Sequence, residues 1–202
     1  NYGFGHFVLL SETIRRNTGG KVDWLTNPKA VNPALFGART EILAGIYPSI
    51  ADCSPGSRPA DDLMALLAPR FGFAAHVVSP SRTHWLYDTL TYATAAPGTP
   101  TPVQSDGLVE MQWRTWLPNG GVLICRPGST NGTPFAACLK GGHNDEDHNH
   151  NDVGTFMVVV GKTMLLCDPG AEVYTKRTFS SRRYDSKVLS SFGHPVPLVA
   201  GQ

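Results

Sequence analysis

The run His148-Asn149-His150-Asn151-Asp152 places two imidazoles two residues apart, and Asp168 and His194 follow within the next 44 positions. Two imidazoles and one carboxylate, with water in a fourth position, suit a zinc ion. Without a cysteine thiolate in the set, Mn²⁺ and Fe²⁺ stay open. His150 and Asp168 are candidate ligands, and His194 is the imidazole the later segment can bring to them. If the segment is extended, His148 and His150 share a face, so that one can hold a metal while the other looks into a cleft. A free imidazole beside a cation has its protonated form disfavoured, which makes a neutral base near pH 7. Asp147 and Asp152 are close enough in sequence to orient either ring.

Residues able to hold a substrate surround this run. Asn149 and its neighbours add neutral donors and acceptors, and Tyr174, Arg177, Arg182, Arg183 and Tyr184 lie between Asp168 and His194. Arginine suits two-point recognition of carboxylate or sulfate, and aromatic faces stack on sugar rings. Tyr2 has the phenol that acid–base work needs. His143 stands apart from the cluster, and His6, His76 and His84 fall in helical stretches as packed or surface residues.

The elements that must position these groups change character along the chain. Phe4, Phe7, Val8, Leu10 and Ile14 recur at helical spacing, and Asn17-Thr18-Gly19-Gly20 stops that helix. Further helices are expected over 33–44, 61–67 and 82–94. The Pro/Gly/Thr/Ser stretch at 96–107 reads as a linker. Beyond it, Trp113 to Leu117 and Val122 to Cys125 flank an Asn-Gly turn, and Phe135 to Leu139 forms a short strand. Phe156 to Val160 and Thr163 to Cys167 flank Gly161-Lys162 as the clearest hairpin. That register pairs Val160 with Thr163 and so Thr155 with Asp168, and it puts His150 and Asp168 at the same open end. The order is helices over 1–95, a linker, and antiparallel strands over 108–202: an α+β, multidomain chain.

Composition narrows the function classes. Of 202 residues, 41% are apolar, enough for a core, and the net charge is +1, which gives no electrostatic footprint for nucleic acid. No apolar run is long enough to span a membrane. Both ends, Asn1-Tyr2-Gly3 and Pro197 to Gln202, read like the interior of a longer protein. Cys53, Cys125, Cys138 and Cys167 lack metal-knuckle spacing and read as thiols, with a Cys125–Cys138 bridge between neighbouring strands the alternative. Asn131-Gly132-Thr133 fits a glycosylation sequon.

The stretch Gly142 to Phe156, with Leu165-Leu166-Cys167-Asp168-Pro169-Gly170 and Phe192-Gly193-His194, resembles the heparinase II/III group of polysaccharide lyases. The likeness is specific over 140–202 and looser at Asn1-Tyr2-Gly3-Phe4-Gly5-His6. It implies the last helices of an α/α toroid followed by a truncated antiparallel β-sandwich, acting on an anionic, uronic-acid-containing polysaccharide by β-elimination in a periplasmic or secreted setting. It implies further that His148 is the catalytic histidine, that His150, Asp168 and His194 hold zinc, and that Tyr2 approximates the toroid's acid–base tyrosine. The toroid helices that would neutralise the substrate carboxylate precede this stretch in the group.

Two other readings fit parts of the pattern. A cupin-like metal enzyme matches Gly142 and His148-x-His150, but Gly154 and Thr155 stand where its glutamate would be. A non-catalytic carbohydrate-binding or structural β-sandwich with a zinc staple predicts metal binding and no turnover. Oligomeric state is not encoded in any of these features.

Overall fold

Alternation of buried and exposed residues carries the strand-rich part of the chain. The computed structural model describes residues 2–73, 113–128, 132–197 and 199, and these form three α-helices and one five-stranded antiparallel sheet. The helix expected at 82–94, the linker at 96–107, Asn131, His76 and His84 lie outside the described residues. Two compact units are present. Described residues up to Arg39 and from Pro59 to 73 form one, and Thr40–Arg58 with the described residues from 113 onward form the other.

In the first unit, α1 (Tyr2–Asn17), α2 (Pro28–Thr40) and α3 (Asp61–Phe71) surround a core that includes Val8, Leu25, Leu35, Leu67 and Phe71. The α1 helix follows the expected apolar spacing. The α2 helix begins five residues before Pro33, where the sequence reading starts it, because the Asn27 carboxamide oxygen accepts from the Lys29 backbone N–H (2.9 Å) and Pro28 takes the first helical position. Pro33 sits inside the helix. The buried Arg70 is paired: its guanidinium, from α3, donates to Glu12 of α1 and to Asp23. Among the described residues no helix is long and apolar enough to cross a membrane.

In the second unit, β1 (Arg114–Leu117), β2 (Val122–Cys125), β3 (Phe135–Lys140), β4 (Phe156–Val160) and β5 (Thr163–Leu166) pair in sequence order. Val122, Ile124, Ala136, Cys138, Met157 and Val159 line one face, as period-two alternation requires. Ile42 packs on that face with Leu43, Ile46 and Ile50 beside it. The segment 40–58 belongs by sequence order to the helical half, yet it packs with the sheet because these side chains are apolar. Burying each such side chain contributes roughly 1.5–3 kcal/mol. Arg126 fastens the same segment by donating from Nε to the Glu41 carbonyl (2.9 Å). On the opposite face, Trp116, Leu123, Leu139 and Phe156 form one cross-strand row, of which Trp116, Leu139 and Phe156 are exposed.

The sheet also sets the thiols. Ile124 pairs with Cys138 and Cys125 with Ala137, so Cys125 and Cys138 project from opposite faces, and all four cysteines are free. Cys138 is buried, and burial pushes its thiol up to about 12, whereas Cys53 and Cys167 are exposed.

Candidate metal and histidine site

Three chain segments meet at the site, each held by local backbone chemistry. The histidine loop leaves β3 at Gly141, whose N–H donates to the Gly121 carbonyl (2.7 Å). Gly121 has φ +60°, and a β-carbon there would lie 2.6 Å from the Gly142 nitrogen, so only glycine lets the β1–β2 turn approach the loop. Farther on, Asn151 N–H donates to the Leu189 carbonyl (2.9 Å). The loop returns through Thr155 into β4.

Asp168 follows β5. The hairpin turn pairs Val160 with Thr163 as expected, but the register slips by one between Val158 and Val159, so Leu166 faces Val158. Thr155 and Asp168 still meet through side chains: Thr155 Oγ1 donates to Asp168 Oδ2 (3.0 Å). The Gly170 N–H donates to Asp168 Oδ1 (2.8 Å), and Ser49 Oγ donates to the Asp168 carbonyl (2.7 Å). His194 Nδ1 lies 2.7 Å from Asp168 Oδ2.

His150, Asp168 and His194 are all buried, and their donor atoms lie within 4.8 Å of one another, so this group could hold a metal ion. His150 and His194 have ring centroids 5.3 Å apart. His150 Nδ1 and His194 Nε2 are buried with no hydrogen-bond partner. Two orphan imidazole nitrogens beside a carboxylate are a donor set that a divalent cation satisfies.

His148 is not extended. Its φ is +61°, in the left-handed region that histidine visits more than most residues, so it does not share a strand face with His150. A carboxylate joins them instead, and it is neither Asp147 nor Asp152. Asp52 Oδ2 lies 2.6 Å from His148 Nδ1, and Asp52 Oδ1 lies 3.0 Å from His150 Nε2. Tyr174 OH donates to Oδ2 (2.7 Å) and Arg183 Nη2 to Oδ1 (3.1 Å). Burial pushes the Asp52 carboxyl up, but the hydrogen bonds from Tyr174, His150 and His148 and the Arg183 charge outweigh it and hold it down at about 2. The same bond to Asp52 raises the Tyr174 hydroxyl above its ordinary value. Ala51, directly before Asp52, also has a left-handed backbone, φ +54°. Asp52 carried no signal in the sequence beyond an acid in the turn-rich stretch Asp52-Cys53-Ser54-Pro55-Gly56.

Asp152 is buried, and its two oxygens make no hydrogen bond; Lys140 Nζ is 3.7 Å from Oδ1. Burial raises its pKa, with Lys140 opposing. Asp147 is exposed.

The remaining substrate-side candidates surround His148 and Asn149. Tyr174 OH is 3.3 Å from His148 Nδ1, and Phe179 meets the His148 ring edge-on at 6.3 Å. Asn149 is buried: its Nδ2 donates to the Asn144 carbonyl (2.7 Å) and its Oδ1 accepts from Tyr184 OH (2.8 Å). Arg183 spends its guanidinium on Asp52, the Asn149 carbonyl and the Thr178 carbonyl. Arg177 donates to Glu172 and to the Arg183 carbonyl. Tyr2 opens α1 in the first unit. His143 accepts from the Asp145 N–H and touches none of the cluster.

No family model and no curated protein matches the chain.

Proposed function

We propose that this chain contributes the histidine and metal side of a polysaccharide lyase that cleaves a uronic-acid-containing chain by β-elimination. The observation that carries the reading is the state of His148. Its side chain is 54% exposed, and its hydrogen bonds run through Nδ1 to Asp52 and Tyr174. Nε2 makes no hydrogen bond among the described residues, and the ring stands two residues from the buried ligand group.

That arrangement suits abstraction of a weakly acidic carbon-bound proton. His148 Nε2 takes the C5 proton of the uronate, the C5–H electrons form the C4–C5 double bond, and the C4–O bond breaks. A phenol then protonates the departing oxygen. In this reading Tyr174 and Phe179, edge to face at 4.9 Å, give the sugar an aromatic wall. Arg177 and Arg183, paired with Glu172 and Asp52, order the substrate side of the site, while Asn149 and Tyr184 shape its loop. The metal assigned to His150, Asp168 and His194 is zinc, and when bound it supplies a fixed charge that ties three segments together.

A non-catalytic carbohydrate-binding domain with a metal staple is the second reading. The full burial of the ligand group and the inward hydrogen bonds of Arg183 and Asn149 favour it.

The test follows ultraviolet absorbance of the unsaturated uronate on a panel of uronate polysaccharides, with His148→Ala as control. Turnover that falls about 10²–10⁴-fold in the variant supports the base role. No unsaturated product from any polymer, with zinc bound, leaves the binding reading in its place.

A further inference from the structure

We infer that Asp52 is a positioning residue for two histidines at once: it fixes His148 with Nδ1 protonated and Nε2 open to solvent, and His150 with Nε2 protonated and Nδ1 open to the buried ligand group. What His148 then does rests on the lyase reading; the ring states rest on hydrogen bonding alone.

A carboxylate only accepts, so a ring nitrogen held against it must carry the proton. Each Asp52 oxygen faces one ring, Oδ2 facing His148 Nδ1 (2.6 Å) and Oδ1 facing His150 Nε2 (3.0 Å). Each oxygen also takes one further donor, Tyr174 OH on Oδ2 and Arg183 Nη2 on Oδ1. Four donors thus converge on the two oxygens. The nitrogens at the far side of each ring are the unpartnered ones. His150 Nδ1 is buried without a hydrogen bond. His148 Nε2 makes none among the described residues, and its ring is half exposed. One carboxylate therefore sets a ligand nitrogen for the metal and a basic nitrogen for solvent or substrate, the arrangement by which outer carboxylates fix a histidine's tautomer and raise its basicity.

A brace that merely ties segments together would not care which nitrogen carries the proton, so the test reads that directly. Histidine ring ¹⁵N shifts are recorded on the whole chain at neutral pH, zinc-loaded and zinc-free, with His148→Gln in both states and His150→Gln in the zinc-free state used to assign the two rings. The expected spectrum has His148 as the Nδ1–H form and His150 as the Nε2–H form. Either ring in the opposite form overturns the inference without any Asp52 variant. In Asp52→Asn the carboxamide has one accepting oxygen, so at least one ring should leave its tautomer, and zinc affinity should fall about 10–100-fold. Unchanged tautomers and unchanged zinc affinity in a folded Asp52→Asn overturn the inference. Should that variant fail to fold, Asp52→Glu keeps charge and acceptors; it should retain both ring states, and their loss would count against the assignment. Correct ring states with no unsaturated product from any uronate would sink the lyase reading and leave Asp52's role standing. Product formation with ring states indifferent to Asp52→Asn would do the reverse.

Discussion

Gly170 lies so close to Cys53 that a β-carbon on Gly170 would stand 2.0 Å from the Cys53 carbonyl oxygen. The contact presses the turn after Asp168 onto the chain directly after Asp52. Gly170 also has φ +65°, where an L side chain is strained even with space around it. Gly170→Ala should therefore cost about 2–4 kcal/mol of stability. Urea unfolding of the variant beside the parent measures it. A loss within about 0.5 kcal/mol, the range of ordinary surface changes, would mean the two segments can part freely.

Metal binding should divide the histidines. His150→Ala and His194→Ala each remove a buried nitrogen from the ligand group and should abolish stoichiometric zinc at micromolar protein, whereas His148→Ala should keep it. Binding to the folded chain alone stabilises it by about 2.7 kcal/mol at free zinc about 100 times Kd. Chelation should thus lower Tm in the parent and in His148→Ala but leave the other two unmoved. Metal analysis after dialysis, paired with thermal unfolding, checks both halves, and loss of zinc from His148→Ala would reverse the division of roles.

Acid should loosen the segment that carries Tyr174 and Arg183. The Ser186 hydroxyl donates to Glu172 (2.5 Å), and Arg177 and Thr178 add to it, so the Glu172 carboxyl is held below its ordinary value of 4.5 despite some burial. A depressed pKa means that the unfolded chain binds the proton more readily. The stabilisation is complete above the unfolded value near 4.5 and drains away as pH falls through the lower folded value. Tm of the parent should exceed that of Glu172→Gln at pH 7, with the gap closing below about pH 4. A gap of constant size down to pH 3 would show that the charge does not matter.

Much of the sheet was legible because short apolar runs such as Val122 to Cys125 and Phe156 to Val160 are bounded by turn residues, Asn119-Gly120 and Gly161-Lys162. The ligand group was legible because His150, Asp168 and His194 are chemically unusual together. Asp52 was not. It sits 96 residues before His148 in a connector with no periodicity, and long-range contacts of single polar residues leave no local pattern. Two local rules also gave way. His148 takes a left-handed backbone that alternation cannot anticipate, and the one-residue slip at Val158 and Val159 shifts the strand opposite Asp168. The start of α2 moved because two prolines competed for one role, and Pro28 has the capping Asn27 before it.

The partners of Asp52 come 96, 98, 122 and 131 residues later in the chain. Contacts of such separation form late, after the entropy of closing a large loop has been overcome. A chain still emerging from the ribosome has its Asp52 long before His148, His150, Tyr174 and Arg183 exist to receive it. Until Arg183 has been added and the loop has closed, neither histidine has a fixed tautomer, and a metal ion arriving early meets flexible rings. Loading of the metal should accordingly keep time with completion of the fold, so that the rate of zinc uptake by refolding protein reports the final docking step.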